Sequence, residues 1–134
     1  MIKVIKVYQE QIYDPSAFIT LALECSAQFK LFHWKTSSFA QHEAFDMIGK
    51  ETAKLFDRLV ETLLGRYRNC PHVPVTLQLV PYSEENILQK INQYLDVLTG
   101  KNGSILNPQD KDVQNIVEEI VASVNKLKYL LTLE

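Results

Sequence analysis

Five side chains in this sequence stand where they could share a metal ion: His33, His42, Asp46, Asp57 and Glu61. His42 and Asp46 are one helical turn apart, and so are Asp57 and Glu61, so each pair can reach a single ion. At about 100° per residue, with His42 at 0°, Asp46 falls near ~40°, Asp57 near ~60° and Glu61 near ~100°. The apolar positions of the same stretch, Phe45, Ile48, Leu55, Phe56, Leu59 and Leu63, lie between roughly 220° and 320°. The ligand-type residues therefore share a face that does not pack into the chain's own core. A solvated polar face is the ordinary reading of such a stripe. Against it stand the paired spacing, the closeness of His33 to His42, and the small residues Gly49 and Ala53 between the pairs, which let two helices approach closely.

Distance decides how such a site could close. His42 and Asp57 are about 22 Å apart along a helix rising 1.5 Å per residue, whereas metal–ligand bonds are about 2.0–2.6 Å. One chain cannot close a site from both pairs. Two copies crossing antiparallel on a two-fold axis near Gly49 and Ala53 bring the His42/Asp46 end of one against the Asp57/Glu61 end of the other. Two equivalent sites result, as an isologous dimer requires. Mixed imidazole and carboxylate without thiolate suits Fe(II), with Zn(II) and Mn(II) as competitors. Hard oxygen donors favour Fe(III) over Fe(II), so such a site favours oxidation of bound iron. Asp46 fits either a direct ligand or a partner of His42 behind the metal.

Four amphipathic helices have to position these groups. Asp14-Pro15 reads as a cap followed by proline at the first helical position. The stripe Phe18, Leu21, Ala22, Cys25, Phe29 and Phe32 then carries a helix over about 15–34. After the polar break Lys35–Ser38, the second helix spans about 39–65 and stops near Gly65. Residues 66–82 hold three of the five prolines and no helical period, and read as a long crossover, which a bundle of this kind needs. Ser83 with Glu84 and Glu85 opens a third helix over about 84–99 before Gly100. Asn107-Pro108 repeats the cap-plus-proline signal for a fourth over about 108–132. The expectation is one all-α domain over 1–134, a four-helix bundle with the crossover between its second and third helices. Residues 1–13 fit extended and helical readings equally.

These residues resemble the ferroxidase motif of the DNA-binding proteins from starved cells (Dps), the mini-ferritins. The resemblance rests on His33-Trp34, a short linker, His42-x-x-x-Asp46 and Asp57-x-x-x-Glu61, and covers roughly residues 18–65. The stretch His33-Trp34-Lys35-Thr36-Ser37-Ser38-Phe39-Ala40-Gln41-His42 is similar, more narrowly, to a group of uncharacterised phage-encoded ferritin-like proteins. The resemblance implies a ferritin-like bundle with iron, as a mono-iron or di-iron site, between subunits. His33, His42 and Asp46 would come from one subunit and Asp57 and Glu61 from its partner. It implies oxidation of Fe(II) by peroxide or oxygen, storage or detoxification of iron, and Trp34 beside the site where it can intercept radicals. The partner is a second copy, in a dimer or a dodecameric cage. Three features depart from the usual pattern: a shorter linker between His33 and His42, Thr62 where a basic residue is usual, and no Lys-rich tail.

Composition bounds the rest. A formal charge of −2 gives no basic footprint, so DNA binding is not expected. No apolar run approaches a membrane span and the start Met1-Ile2-Lys3-Val4 lacks the form of a signal peptide. Cys25 and Cys70 make no disulfide framework and fit a reducing compartment, which places the protein in the cytoplasm, or with the virion if a phage encodes it. Cys25 falls on the apolar stripe of the first helix and is expected to be a buried structural thiol. His72 near Cys70 has no further ligand partners, and Arg66, Tyr67 and Arg68 read by default as a solvated loop. No phosphate loop or nucleophile elbow is present. The reading of a different class is a ferritin-like structural or interaction protein, such as a virion part, with no redox turnover.

Overall fold

The computed structural model describes residues 16–67, 75–101 and 107–133. These residues hold four helices and no strand: α1 (Ser16–Lys35), α2 (Phe39–Arg66), α3 (Glu84–Thr99) and α4 (Lys111–Leu130). The readings made for residues 1–13, Asp14-Pro15, Cys70 and His72 lie outside the described residues.

The helix ends follow local chemistry. Ser38 caps α2 by accepting from the Gln41 N–H at 3.2 Å, and Ser83 caps α3 by accepting from the Asn86 N–H at 3.0 Å. Gly100 closes α3 at φ 72°, the left-handed region that suits glycine. Two ends differ from the sequence reading. Gly65 does not end α2, which runs through Arg66, because Arg66 and Tyr67 are tied to the start of α4: Arg66 bridges Asp110 and Asp112, and Tyr67 donates its hydroxyl to Asp110. Nor does Asn107-Pro108 open α4. Asn107 Oδ1 instead accepts from the Gln109 N–H at 3.0 Å, a turn of its own, and the helix starts after Asp110.

α1 packs on α2, α2 on α4, α4 on α3, and α3 more lightly on α1. The four helices thus form a ring around one core, to which each contributes: Phe29 and Phe32 from α1, Phe45, Ile48 and Leu59 from α2, Ile91 and Tyr94 from α3, and Val113, Ile120 and Leu127 from α4. Cys25 is buried among them, and burial pushes its thiol far above the ordinary cysteine range. An aromatic cluster sits directly under the α1–α2 turn, with Phe45 ring centroids 5.8 Å from Phe29 and 5.5 Å from Phe32. This packing fixes the end of α1 against the start of α2, where the two histidines lie.

Directions follow from the hydrogen bonds. The end of α2 meets the start of α4 through Arg66 and Asp112, so those two helices run antiparallel. The start of α2 meets the start of α3, where Gln41 Nε2 donates to Glu84 at 2.9 Å, so α2 and α3 run parallel. Between them, residues 75–83 lie along α1. The Gln78 N–H donates to Glu24 at 2.7 Å, Val80 exchanges two hydrogen bonds with the Gln28 amide at 2.8 and 2.9 Å, and the Tyr82 ring packs edge-on to Phe32. The segment therefore advances in the same direction as α1. Lys90 of α3 completes the seam, donating to the Gln78 carbonyl at 2.6 Å and pairing with the buried Glu24 at 3.3 Å. Backbone groups that would be orphaned against a helix face are thereby satisfied by side chains.

Candidate functional site

His33 lies in the last turn of α1 and His42 in the first turn of α2, and the three-residue link between the helices sets the two rings face to face. Their centroids are 3.9 Å apart with an interplanar angle of 18°. Each ring is held by the other residue's backbone: His33 Nδ1 lies 2.8 Å from the His42 carbonyl oxygen, and His42 Nδ1 lies 2.9 Å from the His33 carbonyl oxygen. A carbonyl oxygen only accepts, so both Nδ1 atoms carry a proton and donate. In the neutral rings the remaining lone pair is therefore on Nε2 in both. An imidazole whose Nδ1–H is held by a carbonyl is the usual orientation of a metal-ligating histidine. The short linker brings His33 to His42 in this way.

Asp46, one turn beyond His42, is half-buried. Its carboxylate accepts from Lys50 Nζ at 3.1 Å, and that bond, with further help from the nearby histidines, holds its carboxyl below the usual carboxylate range. His33, Phe45, Asp46, Gly49, Lys50 and Ala53 line a cleft of ≈130 Å³ between α1 and α2. A Cβ at Gly49 would meet Phe29 Cβ at 3.8 Å, an ordinary contact, so packing within the chain does not require glycine there. Trp34 is 67% exposed with Lys30 Nζ 5.9 Å from its ring centre, and so does not serve the core.

At the other end of α2, Asp57 and Glu61 are exposed and adjacent. A hydrogen bond that the protonated Glu61 donates to the Asp57 carboxylate, and then the Asp57 charge, raise the Glu61 carboxyl above the ordinary glutamate value. With the folded value raised, the proton is held below that value and released as pH rises through it. Replacing Asp57 by Asn is expected to move the Glu61 titration down towards the ordinary glutamate value, read by carboxyl ¹³C NMR of the metal-free protein; an unchanged midpoint would contradict this coupling.

The structure thus gathers His33, His42 and Asp46 at one end of α2 and Asp57 with Glu61 at the other. It does not join the two groups. Among the described residues, no cluster of three or more His, Cys, Asp or Glu side chains is placed to hold a metal ion within one chain. Because α2 is continuous from Phe39 to Arg66, the separation of about 22 Å is that of an unbroken helix. Sequence reasoning missed Lys50 as the partner of Asp46, although its spacing four residues on was the signal. It also missed the mutual backbone bonds of the histidines, which no pattern of residue types announces.

Comparison with known proteins adds a family. The profile of a family of unknown function (DUF5856) matches residues 33–131. The chain belongs to this family. The DUF5856 span begins at His33 and takes in all five residues of the candidate site. The chain is also similar to an "Uncharacterized 14.6 kDa protein in mobD-ri intergenic region" of Enterobacteria phage T4, with 28% identity over 119 residues covering 87% of each chain. No solved structure matches. Among the described residues, no helix is long and apolar enough to cross a membrane.

Proposed function

We propose that this DUF5856 protein is a ferritin-like, Dps-type iron-binding protein that oxidises Fe(II) between two copies of itself. The observation that carries the reading is the pair of stacked histidines, each locked by the other's carbonyl with Nε2 as its free donor. Three exposed or half-buried carboxylates, Asp46 beside the histidines and the Asp57/Glu61 pair, complete a donor set that suits Fe(II) in kind, with the exposed Trp34 nearby. Iron is the substrate here. Fe(II) gives one electron to oxygen or peroxide, and the carboxylates stabilise the ferric product.

The bundle's connectivity supports the ferritin-like part. α2 and α3 run parallel, and the chain preceding α3 returns along α1, which is what a long crossover between the second and third helices does. The reach of α2 supports the dimer, since the two halves of the donor set can meet only if a second copy arrives antiparallel. Gly49 and Ala53, between the halves, leave room for that approach.

Fe(II) added in air to the purified protein tests this. Rapid growth of ferric absorbance that disappears in the H42A/D57A variant is the expected result. Metal binding without turnover would instead favour a structural or virion-associated role for the same bundle, and no binding at all would refute the metal reading.

A further inference from the structure

We propose that Lys50 is a built-in counter-ion that occupies Asp46 until a divalent metal displaces it, and that it thereby sets the metal affinity of the histidine end. The inference rests on the metal reading above and deepens it. Lys50 Nζ is 3.1 Å from Asp46 Oδ2, with the acid four residues on the N-terminal side, the favourable order for such a pair on a helix. The lysine side chain is 74% exposed and the aspartate 39%, so the ammonium reaches the carboxylate from the solvent side, across the mouth of the cleft it lines with His33.

Lys50 also borders the groove between α2 and α4, together with Lys54, Arg58 and Lys126. The acids of that groove are Glu51 and Glu119, and Arg58 already takes Glu119 at 3.4 Å. With Arg58 and Glu119 paired, Lys54 and Lys126 outnumber the one remaining acid, Glu51, so the groove offers Lys50 less than Asp46 does. In the paired arrangement, Asp46 of one copy faces Asp57 and Glu61 of the other. Without metal those three carboxylates repel, and Lys50 offsets part of the repulsion. When the metal enters, the ammonium leaves for solvent with its proton, and Asp46 exchanges one cation for another; no covalent bond forms or breaks.

Calorimetric titration with Zn(II), which has no redox chemistry, of wild type, K50Q and K50R separates the possibilities. Removing a unit charge about 5 Å from a divalent ion in water is worth roughly tenfold in affinity. K50Q is therefore expected to bind Zn(II) about tenfold more tightly, K50R to stay within about twofold of wild type, and the K50Q effect to vanish in a D46N background. Lys50 is exposed, so K50Q leaves the fold intact, which circular dichroism checks. Wild-type binding with K50Q equal or weaker overturns the role of Lys50 while leaving the metal reading standing. Absence of Zn(II) binding in every variant brings down both.

Discussion

Alanine at His42 is expected to slow aerobic Fe(II) oxidation by at least ~100-fold while leaving helical content unchanged. Loss of a group that merely orients a ligand commonly costs ten- to a hundredfold, and loss of the ligand itself should reach or exceed the upper figure. Alanine removes the His42 Nδ1 bond to the His33 carbonyl and the ring stack, but folding should survive because the other contacts at this corner remain. His33 Nδ1 donates to the backbone carbonyl of residue 42, which alanine retains, and the Phe32–Phe45 contact lies beneath, in the core. Alanine at Asp57 should have a comparable effect through the opposite end of α2, from an exposed position that carries no packing. Stopped-flow absorbance on both variants, beside circular dichroism, checks the pair of statements. Normal oxidation by either would remove that residue from the site.

The second large effect is structural. Replacing Lys90 by Met is expected to destabilise the protein by about 3–5 kcal/mol, because it leaves the Glu24 carboxylate buried without its partner. The side chains of Lys90 and Glu24 are only 6% and 10% exposed, and both also bond Gln78. The loss therefore loosens the segment that runs beside α1. The double variant E24Q/K90M removes the stranded charge but keeps an acceptor for the Gln78 N–H, and should recover a large part of the stability. Urea unfolding measures both. A K90M loss under about 1 kcal/mol would mean that the pair contributes no more than an exposed one.

How much of this was legible in the sequence depends on the kind of interaction. The four helices were, because each is written in apolar residues at helical spacing with Ser38, Ser83 and Gly100 at three of the ends. The start of α4 was not. Asn107-Pro108 has the composition of a cap, yet Asn107 spends its side chain on a turn and Asp110 is claimed by Tyr67 and Arg66 from another helix. Local pattern cannot foresee a partner that arrives through tertiary structure. The same holds for Glu24, Gln28 and Lys90, polar residues that are buried because an irregular strip of backbone needs their donors and acceptors. At the site, helical arithmetic placed His42, Asp46, Asp57 and Glu61 on one face of α2, since that depends only on spacing, and His33 was placed near His42 by the shortness of the link. The mutual locking of His33 and His42 depends on the geometry of a three-residue link.

Complementation between H42A and D57A tests the shared site most directly. Each variant alone lacks one half of every site. Unfolded together in equal amounts and refolded, they should form mixed dimers in which one of the two sites has an intact histidine end from one chain and an intact acidic end from the other. On two-fold symmetry, roughly a quarter of wild-type Fe(II) oxidation should return. If the refolded mixture oxidises iron no faster than either parent, while wild type taken through the same refolding regains its activity, the two ends of α2 do not meet across a pair of chains.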